Sequence, residues 1–361
     1  MKTQTRQFVT SSPRHVVHLS YAVVKPKYTS PERWLSRVAF ISGIPQSLLD
    51  FGQQTVIYNI DYKGELDQNG VRYIFPGFKR WQLVLPLAFN RFVRSLKPNV
   101  VLVHGLIFPW QIILLRNVVG RNVKIICQHH ADRPFKDFRK YIFRWADKYV
   151  SAYLFAAKEY GEEWVKAKQI SSMNKVHEIM GMSSSFHYER KRRSGKIYLW
   201  IGDLDSNKDP LLLVNAFNAF SQKHNDVTLY MIYQQSKLDL KDKVGRSIHL
   251  VGKVEHSELR YYFNTADYII STSHYESAGI AVCEAMSCGC FPILTDIPSF
   301  RMMTGNGKIG RLFRPGDQAG LLSALEETTN DLDPDKIIDH FNAELSFEAN
   351  ARKIMNVLKQ L

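Results

Sequence analysis

Two glutamates, Glu276 and Glu284, stand with seven residues between them in the run His274-Tyr-Glu-Ser-Ala-Gly279-Ile-Ala-Val-Cys-Glu-Ala-Met-Ser-Cys-Gly289. A glycine at a helix start lets an anion approach the free N–H groups, and the helix dipole favours that anion. Carboxylates on either side would repel a phosphate but bond neutral hydroxyls strongly. A ligand with phosphates in the middle and hydroxyl-rich groups on both flanks is a sugar nucleotide. The plainer alternative is one helix N-terminal charge and one solvated helix residue. A second group, Gln128-His129-His130-Ala-Asp132-Arg133-Pro134, follows an apolar run. Strand alternation sends His130 one way and His129 the other. Adjacent histidines with Asp132 make a poor chelate, so no metal is expected. His104 ends a strand candidate too, where a histidine satisfied by nearby backbone is the plain reading.

These residues need elements to hold them. Short β-branched runs alternate with longer amphipathic stretches, which predicts an α/β protein with parallel sheets. Strands are expected at His15–Leu19, Thr55–Asn59, Asn99–His104 and Lys124–Gln128, with helices over Glu32–Phe51, Phe78–Leu96 and Asp137–Tyr149. The second half restarts the rhythm. Strands are expected at Lys196–Ile201, Thr228–Tyr233, Ser247–Leu250, Tyr268–Thr272 and Phe291–Thr295. Helices are expected at Pro210–His224, His256–Asn264, Gly279–Ser287 and Gly320–Thr328. Both glutamates therefore fall at the C-terminal edge of a parallel sheet, where ligands of open α/β sheets bind. The charged run Arg190–Gly195 reads as a linker. The expected division is residues 1–189, a basic linker 190–196, residues 197–340 and a terminal helical segment 341–361.

The Glu276/Glu284 pair, with Glu284-Ala-Met-Ser-Cys-Gly289, resembles the E-x7-E signature of glycosyltransferase family 4. Trp200–Phe217 with Lys208, Leu250–Leu259 with Tyr262 and Asp267, and Gly310–Asp317 are similar to further segments of that family. The likeness runs over about residues 197–330. It is looser in the first half, at Lys97–His104 and Ile125–Pro134. The resemblance implies a GT-B fold: two Rossmann-like domains facing each other across a cleft, with a C-terminal helix crossing back to the N-domain. It implies retaining transfer of a hexose from a UDP- or GDP-type donor to a hydroxyl of a glycan or lipid-linked acceptor, without metal or other cofactor. By the same resemblance Glu284 would hold the ribose and Glu276 the donor sugar. His130 would contact that sugar, giving His130 and Glu276 the catalytic places. Gly279 and Ile280 would offer N–H groups to the diphosphate and Lys208 would neutralise it. Ser277, Gly202 and Val254 would complete the donor site.

Two departures qualify that picture. Asp203 stands where the family usually has arginine, leaving Lys208 as the one donor-site cation, with Arg133 the candidate to compensate. The family's glycine-rich loop after the first strand is replaced by Tyr21–Glu32, carrying Lys25 and Lys27. A catalytically weak protein that binds a glycan or partner, or a GT-B epimerase, is the alternative.

With 48 basic and 34 acidic residues the chain carries +14, a sign of anionic partners rather than of any fold. Much of the excess lies at Arg91, Arg94, Lys97, Arg133, Lys136, Arg139, Lys140, Arg144 and Lys148, among aromatics. That pattern suits either a solubilising face or peripheral docking on anionic lipid. No nucleic-acid motif accompanies it. Cys127, Cys283, Cys288 and Cys290 form no CxxC pair, so reduced thiols in a reducing compartment are expected. The first residues lack a signal peptide's apolar core, and Val100–Leu115 is too short and polar to span a bilayer. A soluble, cytoplasmic protein is the expectation.

Overall fold

The computed structural model describes residues 14–22, 24, 28–189, 196–235, 238–327 and 333–361. Lys25, Lys27 and the linker Arg190–Gly195 lie outside the described residues.

The first half builds one sheet from β1 (Arg14–Leu19), β2 (Gly52–Ile57), β3 (Gly64–Gln68), β4 (Val71–Phe75), β5 (Val100–His104), β6 (Lys124–Gln128), β7 (Ala152–Phe155) and β8 (Val176–Glu178). Their order is β3-β4-β2-β1-β5-β6-β7-β8, parallel throughout except for β3, which is antiparallel to β4. The second half builds a parallel sheet from β9 (Ile197–Ile201), β10 (Thr228–Ile232), β11 (Ile248–Gly252), β12 (Tyr268–Ser271), β13 (Phe291–Thr295) and β14 (Arg311–Phe313), in the order β11-β10-β9-β12-β13-β14. In both sheets the chain winds outward in one direction, returns to the centre and winds the other way. The switch falls between β1 and β5 in the first sheet and between β9 and β12 in the second. Crevices open at the C-terminal ends of strands at such points.

The strands expected at Lys124–Gln128 and Phe291–Thr295 are formed with those bounds. Two expected helices are broken. Glu32–Phe51 becomes Pro31–Arg37 and Ala39–Ser47, separated at Val38, and Phe78–Leu96 becomes Arg80–Val84 and Leu87–Ser95. Pro86 sits at the second break, where a residue without N–H cannot extend the helix before it. His256–Asn264 is a 3-10 turn, His256–Glu258, followed by a helix, Leu259–Thr265. The hairpin β3–β4, the strands β7, β8 and β14, and the helices Pro298–Met303 and Pro334–His340 were not expected.

The last helix, Phe347–Gln360, crosses back to the first domain. Ser346 caps it, its Oγ accepting from Ala349 N at 3.1 Å. Its buried Ala351, Ile354, Val357 and Leu358 pack against Val16, Leu102, Ile126 and Leu154 of the first sheet and against Ile44 and Leu48. Ile354, Val357 and Leu358, removed from water, contribute about 1.5–3 kcal/mol each, which makes this strap a substantial bond between the halves. Gly43 permits the approach: a Cβ there would meet the Phe347 ring at 2.4 Å.

Candidate active site

The loop after β9 carries Lys208, and hydrogen bonds fix its path. Asp205 Oδ1 accepts from the N–H groups of Asn207 and Lys208, both at 3.0 Å. Thr272, just beyond β12, accepts from Trp200 Nε1 at 3.1 Å and donates to the Lys208 carbonyl at 2.6 Å. Asn207 Nδ2 donates to the Tyr275 carbonyl at 3.1 Å. The β9 and β12 loops are thereby locked together, and Lys208 Nζ pairs with Glu276 Oε1. The first domain supports the same loop. Tyr160 OH, from the helix Lys158–Lys166, donates to the Glu276 carbonyl at 2.8 Å, and the Arg133 guanidinium lies over the Tyr275 ring at 4.7 Å.

Gly279 caps the helix Ile280–Ser287 at φ 54°. That φ is costly for any residue with a Cβ, and a Cβ would also meet Phe300 at 2.7 Å. No side chain caps this helix, so its first N–H groups stay available to a ligand. Gly202, Asp203, Lys208, Lys253, Val254, His256, Glu276, Ser277, Gly279, Ile280 and, from the first domain, His130 and Phe40 line one cavity of about 730 Å³. Of the expected donor-site residues, all but Glu284 and Arg133 therefore share one wall. Glu284 is buried beside the cavity, 3% exposed, where its Oε1 accepts from Ser184 Oγ at 2.6 Å and lies 2.7 Å from Nε2 of the cavity-lining His256. That carboxylate lifts the His256 imidazole above its ordinary pKa.

Two expectations need correction. Arg133 does not reach the cavity around Lys208: its stacking on Tyr275 holds it at a separate surface hollow with Lys136 and Arg139. Lys208 is also not the one cation of the site, because Lys253 and His256 stand in the same wall. Lys253 Nζ is 3.4 Å from Glu255 Oε1. Asp203 is held by the loop after β10, its Oδ1 accepting from Gln235 N at 3.0 Å. Ser184 escaped the reading of motifs because no spacing links it to Glu284, and Lys253 and His256, though inside the family-like segment Leu250–Leu259, were not singled out there. Folding alone brings Ser184 and Glu284 together across 100 positions.

His129 and His130 part as strand alternation requires. His129 is 2% exposed, packs on Phe155 and Tyr160 at 4.8 and 5.8 Å, and donates from Nε2 to the Asp132 carbonyl at 2.9 Å. His130 shares a hydrogen bond with His104, Nε2 to Nδ1, at 3.1 Å. Burial lowers the His130 pKa to about 4 and that of His104 well below the usual imidazole range, so near neutral pH the pair is uncharged. Among the described residues no cluster of three histidine, cysteine or carboxylate side chains is placed to hold a metal.

Residues 185–343 match the family model described as "Glycosyl transferases group 1". Over this stretch the chain is similar to the group 1 glycosyl transferases. The chain is 29% identical, over 138 residues, to a phosphatidyl-myo-inositol mannosyltransferase of Mycobacterium leprae, covering 37% of each chain. It is 27% identical over 152 residues to a glycogen synthase of Mycobacterium tuberculosis, covering 40% of this chain and 37% of that one. The matched stretch thus spans little more than a third of either relative. The whole fold is shared more widely: a glycosyltransferase of Rickettsia africae superposes with a TM-score of 0.71 at 14% identity, over 97% of this chain and 99% of its own. Two facing Rossmann-like domains with a returning terminal helix constitute the GT-B fold.

Proposed function

We propose that this chain transfers a hexose from a UDP- or GDP-type sugar nucleotide to a hydroxyl acceptor, with retention and without metal. The observation that carries the reading is the single cavity in which Lys208, Glu276 and the uncapped helix start at Gly279–Ile280 face His130 of the other domain. The diphosphate takes the helix N–H groups and the Lys208 ammonium, which releases Glu276 to accept hydrogen bonds from the sugar's hydroxyls. The ribose hydroxyls replace His256 as donors to Glu284. Neutral His130 bonds the sugar near the reacting carbon without adding charge. The anomeric C–O bond breaks with its electron pair on the phosphate, the acceptor oxygen bonds that carbon, and the acceptor's proton passes to the phosphate. Catalysis then rests on positioning and on stabilising the leaving group.

The acceptor is a glycan or lipid-linked glycan, and docking is peripheral, on anionic lipid, in the cytoplasm. No nucleic acid takes part. The mycobacterial relative whose name specifies phosphatidyl-myo-inositol favours a lipid. So does a succession of contacting helices, Arg80–Val84, Leu87–Ser95, Pro109–Val119 and Arg139–Asp147. Trp81, Leu85, Trp110, Phe138, Tyr141 and Trp145 are exposed along them and their ends, among the basic residues. Each cation near such a surface adds about 1 kcal/mol. Among the described residues no helix is long and apolar enough to cross a membrane.

Asp203 in the cavity wall supports a second reading, a feeble enzyme that serves as a binding module. A panel of UDP- and GDP-sugars decides: one donor raises the melting temperature and is slowly hydrolysed. No response to any nucleotide favours the module, and a donor isomerised without acceptor marks an epimerase.

A further inference from the structure

A second cavity, of about 380 Å³, lies within the first domain and meets the donor cavity at His130, which lines both. Its floor is polar. Asn59, His18, His104 and His130 stand at or just past the C-terminal ends of β2, β1, β5 and β6, which are consecutive strands of the sheet. Its walls are mainly apolar, with Val38, Ile41 and Phe108 among them, and include Trp34, whose buried Nε1 has no partner.

The floor has unused hydrogen-bonding capacity. Asn59 is 8% exposed, and neither its Oδ1 nor its Nδ2 has a partner. His18, 1% exposed, donates from Nε2 to Gln54 Oε1 at 3.0 Å, which leaves Nδ1 as an acceptor with no donor. Buried polar groups are nearly always satisfied, so this row fits a ligand that brings hydroxyls. The mainly apolar walls disfavour a ligand that is hydroxylated all round, because most of its outer hydroxyls would be buried without partners.

The cavity also borders the surface. Ile107, 50% exposed, lines it and also the surface hollow bounded by Arg133, Lys136 and Arg139. Ile107 thus adjoins both the apolar interior and the cationic hollow.

We infer that this cavity is a subsite for the hydrocarbon portion of an amphiphilic acceptor: a lipid whose hydroxylated head lies on the Asn59–His18–His104–His130 row. The inference rests on the transferase reading above and selects the lipid from its acceptor classes. Hydrocarbon beside the head excludes water where the acceptor oxygen meets the donor sugar, and the border at Ile107 lets the chain continue into a membrane.

The test is a binding titration that needs no donor. Methyl, butyl, hexyl and octyl β-glucosides, each below its micelle concentration, are titrated into the full chain while tryptophan fluorescence is followed. Affinity rises with chain length, approaching roughly fourfold for each buried methylene. Two variants locate the site. Trp34→Phe removes most of the fluorescence change. Ala22→Trp, at an exposed wall position, fills the space and abolishes the chain-length dependence, with its melting curve recorded to verify folding. Affinity indifferent to chain length, a preference for an unsubstituted oligosaccharide, or binding untouched by Ala22→Trp overturns the inference. Donor hydrolysis is assayed separately. Its absence with chain-length dependence intact would fault the transferase reading, whereas hydrolysis without chain-length dependence would fault the subsite alone.

Discussion

The two cavities that meet at His130 are built at equivalent places in equivalent sheets, yet their chemistry is opposite. The one on the second sheet is lined by paired charges, Lys208 with Glu276 and Lys253 with Glu255, beside the His256–Glu284 pair. The one on the first sheet is walled mainly by hydrocarbon above three neutral histidines. The topology decides where a site opens, and the side chains at the strand ends decide what enters. A charged, hydroxylated donor needs exchangeable partners, and each ion pair in its wall can be traded for a ligand contact. An amphiphile needs dry walls and a polar floor.

Substitutions on the charged side should do most damage. Replacing Glu276 by Gln removes the carboxylate from the sugar and leaves Lys208 unpaired. Turnover should fall by about 10²–10³-fold, as for loss of one preorganised transition-state contact, and a smaller loss would move catalysis away from Glu276. Lys208→Ala should weaken nucleotide affinity by roughly 10- to 150-fold, the range for one charge-assisted hydrogen bond. Equal affinity in calorimetry would assign the diphosphate to Lys253 instead. His130→Ala, at the junction, should lower kcat by about tenfold, the scale of a neutral hydrogen bond. Wild-type turnover in that variant would remove His130 from the reaction.

Acid should separate the two regions by sign. His18, His104 and His130 have lowered pKa values because burial disfavours their charged forms. Between the unfolded value near 6.5 and their folded values the unfolded chain binds more protons, so stability falls as pH drops below about 6.5. His256 is raised by its hydrogen bond to Glu284. Its contribution is complete below pH 6.5 and is lost as pH rises through the elevated value. Melting temperatures against pH should show His104→Asn flattening the acid loss, whereas His256→Asn lowers stability chiefly below pH 6.5. Parallel profiles for the two variants would contradict these assignments.

The same contrast runs through what was legible in the sequence. The second half repeats a regular alternation of apolar strand and amphipathic helix, and several of its candidate residues fall close together at loops after β9 and β12. Pattern was enough for most of the elements there, but Lys208 and Glu276 were singled out by the family resemblance rather than by spacing alone. In the first half β3 is Gly-Glu-Leu-Asp-Gln, with only Gly64 and Leu66 partly buried. It pairs with β4 through an Asn69-Gly70 turn at positive φ, so its place depends on its partner rather than on an apolar pattern of its own. The row Asn59–His18–His104–His130 is scattered over more than a hundred positions and becomes a site only when β2, β1, β5 and β6 lie side by side. Arg133 shows the converse case: it was the candidate to compensate for Asp203, but Tyr275 offers its guanidinium an aromatic face instead.

The central claim is that the second-half cavity grips a sugar nucleotide through Glu284 behind its wall. Calorimetric titration of UDP and GDP into the wild-type chain and into Glu284→Ala tests it most directly. One nucleotide should bind the wild type, and Glu284→Ala, which removes two charge-assisted bonds to the ribose, should weaken it by about a hundredfold or more. Unchanged affinity in the variant, with the wild type binding, would contradict the account.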